Sequence, residues 1–153
     1  MRKTAVITGA SKGLGYRLAL AFWDAGYNLA LVSRSPMSLG EFVAGLENGK
    51  TNKQRVNHYI ADLANLVEIE KAVKDVQTEY NSIDVLINNA GVHGPIGALD
   101  ATVIDGWKHA MNINFFAPVF LISSLLGAFS EKGASIINIS GGGAVSFLSL
   151  IHI

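Results

Sequence analysis

Apolar residues in this chain follow two alternating rhythms. Short apolar runs occur at residues 4–7, 28–32 and 85–87, and mixed runs that also read as strands occupy residues 56–60 and 135–140. Such runs suit strands covered on both faces. Between them the apolar positions recur at helical spacing. Leu14, Leu18, Ala21, Phe22 and Ala25 mark a first helix that stops at Gly26, and Ser35-Pro36 opens a short second one carrying Leu39, Phe42, Val43 and Leu46. Leu66, Ile69, Val73 and Val76 mark an amphipathic helix reaching Tyr80, and a further helical region runs from about Ile104 to Phe129. Residues 50–55 are polar and read as a surface loop. Strand and helix alternating at this interval predict parallel β-α-β units with right-handed crossovers, hence an α/β, doubly wound parallel sheet.

Polar landmarks fall where these strands end. Thr8-Gly9-Ala10-Ser11-Lys12-Gly13-Leu14-Gly15 joins the first strand to the first helix. Glycines there let backbone N–H groups approach phosphate oxygens at a helix N-terminus, although glycines alone also fit a tight strand–helix turn. The spacing is G-x-x-x-G-x-G without a following G-K-[ST], which disfavours a triphosphate P-loop. Ser33-Arg34 follows the second strand, Asp62-Leu63 the third, Asn89 the fourth and Ser140 the fifth. Ligands bind parallel sheets at the carboxyl ends of their strands, so five polar sites in register point to a dinucleotide.

Composition narrows the field. At 153 residues, half of them apolar, the chain suits one domain with a real core. Lys plus Arg equals Asp plus Glu at 12 each, so no basic field invites nucleic acid or an anionic membrane. With no cysteine and four scattered histidines, no metal site is expected. The apolar stretch 113–129 contains Pro118, Ser123 and Ser124 and reads as a helix covered on more than one side rather than a membrane span. The N-terminal apolar run is too short for a signal peptide, and the expectation is a soluble, cytoplasmic domain.

Thr8-Gly9-x-x-x-Gly13-x-Gly15, Asp62-Leu63, Asn88-Asn89-Ala90-Gly91 and Trp107…Asn112-Ile113-Asn114 together resemble the short-chain dehydrogenase/reductase family, over nearly the whole chain to about Phe147. The resemblance implies that Gly9, Gly13 and Gly15 cradle a pyrophosphate lined by Ser11 and Leu14. It places Asp62 on the adenine amino group, with an N-cap for the following helix as its alternative role. It sets Asn89, Ala90 and Gly91 beside the adenosine ribose, bracing the central strand, where a loop bonding its own backbone is the alternative. An acidic residue at the end of the second strand would grip a ribose 2′-OH; Ser33 and Arg34, with Lys12 nearby, instead favour NADP(H) over NAD(H), unless Arg34 is merely a solvated loop residue. The implied reaction is hydride transfer between NADP(H) and a small carbonyl or alcohol substrate, in a homo-oligomer. A non-catalytic dinucleotide-binding module is the alternative, and the glycine spacing argues against a Rossmann-like methyltransferase.

The family's chemistry uses Asn, Ser, Tyr and Lys. Asn114 matches the first. Asn138-Ile139-Ser140-Gly141 puts glycine where the catalytic serine is expected, and Ser140 would substitute only with a shifted backbone, because strand residues alternate faces. No tyrosine lies beyond Tyr80, and the family's Tyr-x-x-x-Lys would begin just past Ile153. These gaps predict a Rossmann domain over residues 1–147 that is incomplete after its fifth strand and inactive as it stands. Residues 148–153, Leu-Ser-Leu-Ile-His-Ile, resemble a translated sequencing-library adaptor and are expected to be a foreign tail, a natural apolar hexapeptide being the alternative.

Overall fold

A computed structural model describes residues 2–35, 54–96 and 104–141. Five parallel strands form one sheet in the order β3-β2-β1-β4-β5. They are β1 (Thr4–Thr8), β2 (Asn28–Ser33), β3 (Val56–Ile60), β4 (Val85–Asn88) and β5 (Ser135–Asn138). The chain moves outward from β1 through β2 to β3, then crosses back to β4 and β5, so the winding reverses between β1 and β4. β1 pairs with both of these neighbours, Val6 standing opposite Ala30 on one side and Leu86 on the other.

The strand interiors explain the unbroken apolar runs. Val6, Ala30, Val32 and Leu86 face one layer, packing with α2 (Leu66–Glu79) and the long helix beyond it. Ala5, Ile7, Leu29, Leu31, Val85 and Ile87 face the other, under α1 (Gly13–Asp24). Both faces of the central strands are therefore dry. The helix predicted around Leu39–Leu46 and the tail at 148–153 lie outside the described residues.

Three expectations are corrected in the helices. α1 buries Gly15, Ala19 and Trp23, whereas Leu14 is 53% exposed and Ala21 and Ala25 are exposed. The helix sits so close to the sheet that only small residues fit its inner side near the glycine turn. Asn65, not Asp62, caps α2: its side chain accepts from the Val67 N–H at 3.1 Å. The region from Ile104 is one continuous helical stretch, α3 (Ile104–Met111), a π-turn (Asn112–Phe116), α4 (Ala117–Leu125) and a 3₁₀ turn (Leu126–Ala128). It is long and apolar enough to cross a membrane by composition alone. Ile113, Ala117, Leu121 and Leu125 pack it on the sheet and α2, whereas Phe115 and Phe116 on its other side are more than half exposed. Within one chain it is thus covered on one side only.

Candidate functional site

The site begins with the turn after β1. Gly9 and Gly13 adopt φ values of +66° and +58°, open to glycine at little cost. A Cβ at Gly15 would run into the Gly9 carbonyl and the Asn89 Nδ2, so this glycine is what lets α1 approach the end of β4. Among the described residues outside its own turn of helix, a Cβ on Gly13 meets no atom within 4 Å, which suits a backbone open to a ligand at the α1 N-terminus. Lys12 stands just before that terminus with an extended backbone and an exposed side chain.

Thr8 and Asn89 lock the two halves of the sheet together. The N–H groups of Asn89 and Ala90 both donate to Thr8 Oγ1, each at 3.0 Å, while Asn89 Nδ2 donates to the Thr8 carbonyl at 2.9 Å and to the Gly9 carbonyl at 3.3 Å. Asn89 therefore braces β1 rather than only its own loop. Thr8 carries no role in the sequence reading, and its place immediately before Gly9 was the available signal.

A cleft of about 120 Å³ opens at the carboxyl ends of β1, β2 and β3, and gathers Gly9, Ser33, Arg34, Asp62, Leu63 and Ala90. Arg34 is exposed; Ser33 is buried and donates its hydroxyl to the Ser35 carbonyl at 3.3 Å. Asp62 is held from both ends. Its N–H donates to Glu68 Oε2 at 2.8 Å, and its Oδ1 accepts from the Ala64 N–H at 2.9 Å. Glu68 also accepts from Asn65 Nδ2 at 2.8 Å, so the Asn65-x-x-Glu68 spacing of a capping box was the sequence sign of this support.

A second cavity of about 730 Å³ lies across the end of β4, bordered by Asn89, Gly91, Asn114, Ser140 and Gly141 among others. Ala90 and Val92 line both spaces, which are neighbours across one turn. Asn114 sits in the π-turn and is fixed by Val92: it accepts from the Val92 N–H at 2.9 Å and donates Nδ2 to the Val92 carbonyl at 2.8 Å. Four residues on, Pro118 has no N–H, so the Asn114 carbonyl loses its ordinary α-helical donor. π-Turns of this kind recur at functional sites. Asn88 Nδ2 donates to Asn138 Oδ1 at 2.8 Å, and the Ile139 N–H to the Asn88 carbonyl at 2.9 Å, holding the end of β5 on this cavity. β5 stops at Asn138, so strand alternation does not govern Ser140, and both Ser140 and Gly141 reach the cavity.

The two spaces thus collect Gly9, Ser33, Arg34, Asp62, Leu63, Asn89, Ala90, Gly91, Asn114 and Ser140. Ser11, Lys12, Gly13, Leu14 and Gly15 border neither and form the turn beside them. No group of three or more His, Asp or Glu side chains that could hold a metal occurs among the described residues.

Parallel order, winding reversal and a glycine turn at the reversal define a Rossmann-like doubly wound α/β domain. The chain belongs to the short-chain dehydrogenase family, whose model matches residues 3–149. It is 32% identical over 139 residues to an uncharacterised oxidoreductase of Schizosaccharomyces pombe, covering 90% of this chain and 44% of that protein. To the dehydrogenase/reductase SDR family member 7B of Mus musculus it is 36% identical over 130 residues, covering 83% and 39%. L-sorbose reductase from Gluconobacter frateurii, solved with NADPH and L-sorbose, superposes with a TM-score of 0.85 at 28% identity, covering 94% of this chain and 54% of that one. A metagenomic short-chain oxidoreductase solved with NADP gives 0.76 at 28% identity, covering 90% and 61%. The chain spans between about two fifths and three fifths of the length of the curated relatives it matches.

Proposed function

We propose that this chain forms the dinucleotide-binding part of an oxidoreductase that uses NADP(H) to interconvert a small carbonyl compound and its alcohol. The observation that carries the reading is the smaller cleft, which sets Arg34, Asp62 and the Gly9 turn together at the point where the sheet reverses. The geometry fits the cofactor: the open backbone at Gly13 and the α1 N-terminus suit a pyrophosphate, and the larger cavity adjoins for the reacting end.

In this reading Gly9, Gly13 and Gly15, with Ser11 and Leu14, hold the pyrophosphate. Asp62 accepts from the adenine amino group beside Leu63. Arg34, Ser33 and Lys12 take a 2′-phosphate, where charge-assisted hydrogen bonds are strong. Asn89, Ala90 and Gly91 flank the ribose. The chemistry drawn from the bound cofactor is hydride exchange with a carbonyl carbon. Asn114 orders a water for proton relay, and the Ser140 hydroxyl donates to the substrate oxygen. The proton donor for turnover is a tyrosine, and the sequence has none after Tyr80. A non-catalytic dinucleotide-binding module is the second reading, favoured by Gly141 in the serine position. A Tyr-x-x-x-Lys pair encoded downstream of residue 153, in a longer protein that consumes NADPH with a carbonyl substrate, would exclude it. The reading concerns residues 1–147 of a cytoplasmic homo-oligomer, and the segment 148–153 has no part in it.

Titration of the purified chain with NADPH and NADH tests cofactor choice. NADPH should bind more tightly, and Arg34→Asp should weaken NADPH more than NADH by roughly 1–3 kcal/mol, the worth of a charged hydrogen bond. Equal or tighter NADH binding by the unaltered protein would refute the 2′-phosphate assignment.

A further inference from the structure

Among the described residues that line the larger cavity, His93 is the one with a titratable side chain. Its exposed imidazole has no hydrogen bond or ion pair with any described residue. The backbone around it, by contrast, is held on both sides. Val92 is clamped by the two hydrogen bonds to Asn114. Gly94 lies against the Trp107 ring so closely that a Cβ there would stand 3.0 Å from Cζ3, and Pro95 Cγ would meet a Cβ on Gly106 at 2.6 Å. A segment pinned at positions 92, 94 and 95 presents residue 93 at a set place on the cavity wall. Much of the rest of that wall is apolar, including Phe115, Pro118, Val119 and Ile122.

We propose that His93 is a substrate-recognition residue whose imidazole N–H binds a second oxygen acceptor on the substrate, so that the site favours carbonyl compounds bearing a nearby ester or carboxylate oxygen. This rests on the larger cavity being the substrate side of the proposed oxidoreductase. In that reading the Ser140 hydroxyl meets the reacting carbonyl, and a single-oxygen ketone would leave the imidazole without a ligand partner. A hydrogen bond made by the correct substrate and lost in its analogue is how a pocket of mostly apolar walls discriminates.

The test uses the 153-residue chain saturated with NADPH and two probes of equal backbone length, ethyl acetoacetate and 2-heptanone. Their affinities are measured by ligand-observed NMR. The ratio of ester to ketone affinity should fall about fivefold in His93→Ala, the effect of one neutral hydrogen bond, and return in His93→Gln, which restores an N–H donor. The NADPH affinity should be unchanged in both variants, which also reports that they fold. An unaltered ratio in His93→Ala, or no probe binding to a chain that holds NADPH, overturns the assignment of His93 while leaving the dinucleotide reading intact. Failure of the unaltered chain to bind NADPH overturns both.

Discussion

Gly13 and Gly15, two positions apart, are glycine for different reasons. At Gly13 the backbone has φ +58° and no protein atom crowds a Cβ; at Gly15 a Cβ would strike the Gly9 carbonyl and the Asn89 amide. The first serves a ligand and the second serves packing. Gly15→Ala should therefore destabilise the fold by about 1–3 kcal/mol, as overpacking does, and urea unfolding measures it. Gly13→Ala should cost about 1–2 kcal/mol for a left-handed alanine and act disproportionately on NADPH affinity. A Gly15→Ala protein as stable as the parent would contradict this division. Thr8 has a similar structural weight: its single hydroxyl accepts from two backbone N–H groups, and a valine would leave Asn89 N–H with only the Ile87 carbonyl and take away the Thr8 acceptor of Ala90 N–H.

Among the elements, the long helix is apolar on two sides that differ sharply in exposure. Leu125 is 1% exposed, whereas Phe116 is 55% exposed. Leu125→Glu should place an unpaired charge in the core and cost roughly 3 kcal/mol or more. Phe116→Glu should leave the fold intact and weaken the self-association proposed for this protein, as sedimentation would show. Association unchanged in Phe116→Glu would remove that face from the interface.

The same helix shows what a sequence conveys. Its extent was legible because apolar spacing persists across Pro118, but which side is covered was not, since both sides are apolar. The strands were legible because residues such as Val6 and Leu86 are buried in unbroken runs. The inner stripe of α1 was misread because Gly15 and Ala19 carry no strong apolar signal; their smallness is what permits the contact. In the site, Arg34 and Asp62 announced themselves as polar residues at strand ends, and Asn114 through its place in the Trp107…Asn112-Ile113-Asn114 motif. The supports at Thr8, Glu68 and Pro118 went unread: position and capping-box spacing hinted at the first two, but a hydroxyl clamp, a carboxylate on a distant backbone N–H and a missing donor acquire their meaning once their partners are placed.

At the scale of the whole molecule, the sheet divides at β1 and β4, and each half supplies one cavity. The half made by β1, β2 and β3 carries the Arg34–Asp62 cleft, and the half made by β4 and β5 carries Asn114, His93 and Ser140. β5 is the less protected half: all its residues are exposed, with Ile136 and Ile137 each 41% accessible, a surface open to further strand pairing. The central claim is that one NADP(H) molecule lies across the turn joining these halves. Amide hydrogen exchange of the chain with and without saturating NADPH tests it most directly. The account predicts simultaneous slowing at residues 9–15, 62–64 and 89–92, three segments far apart in sequence, with β5 and α2 beyond its first turn little changed. Protection confined to one of these segments, or none at a concentration where NADPH is bound, would contradict it.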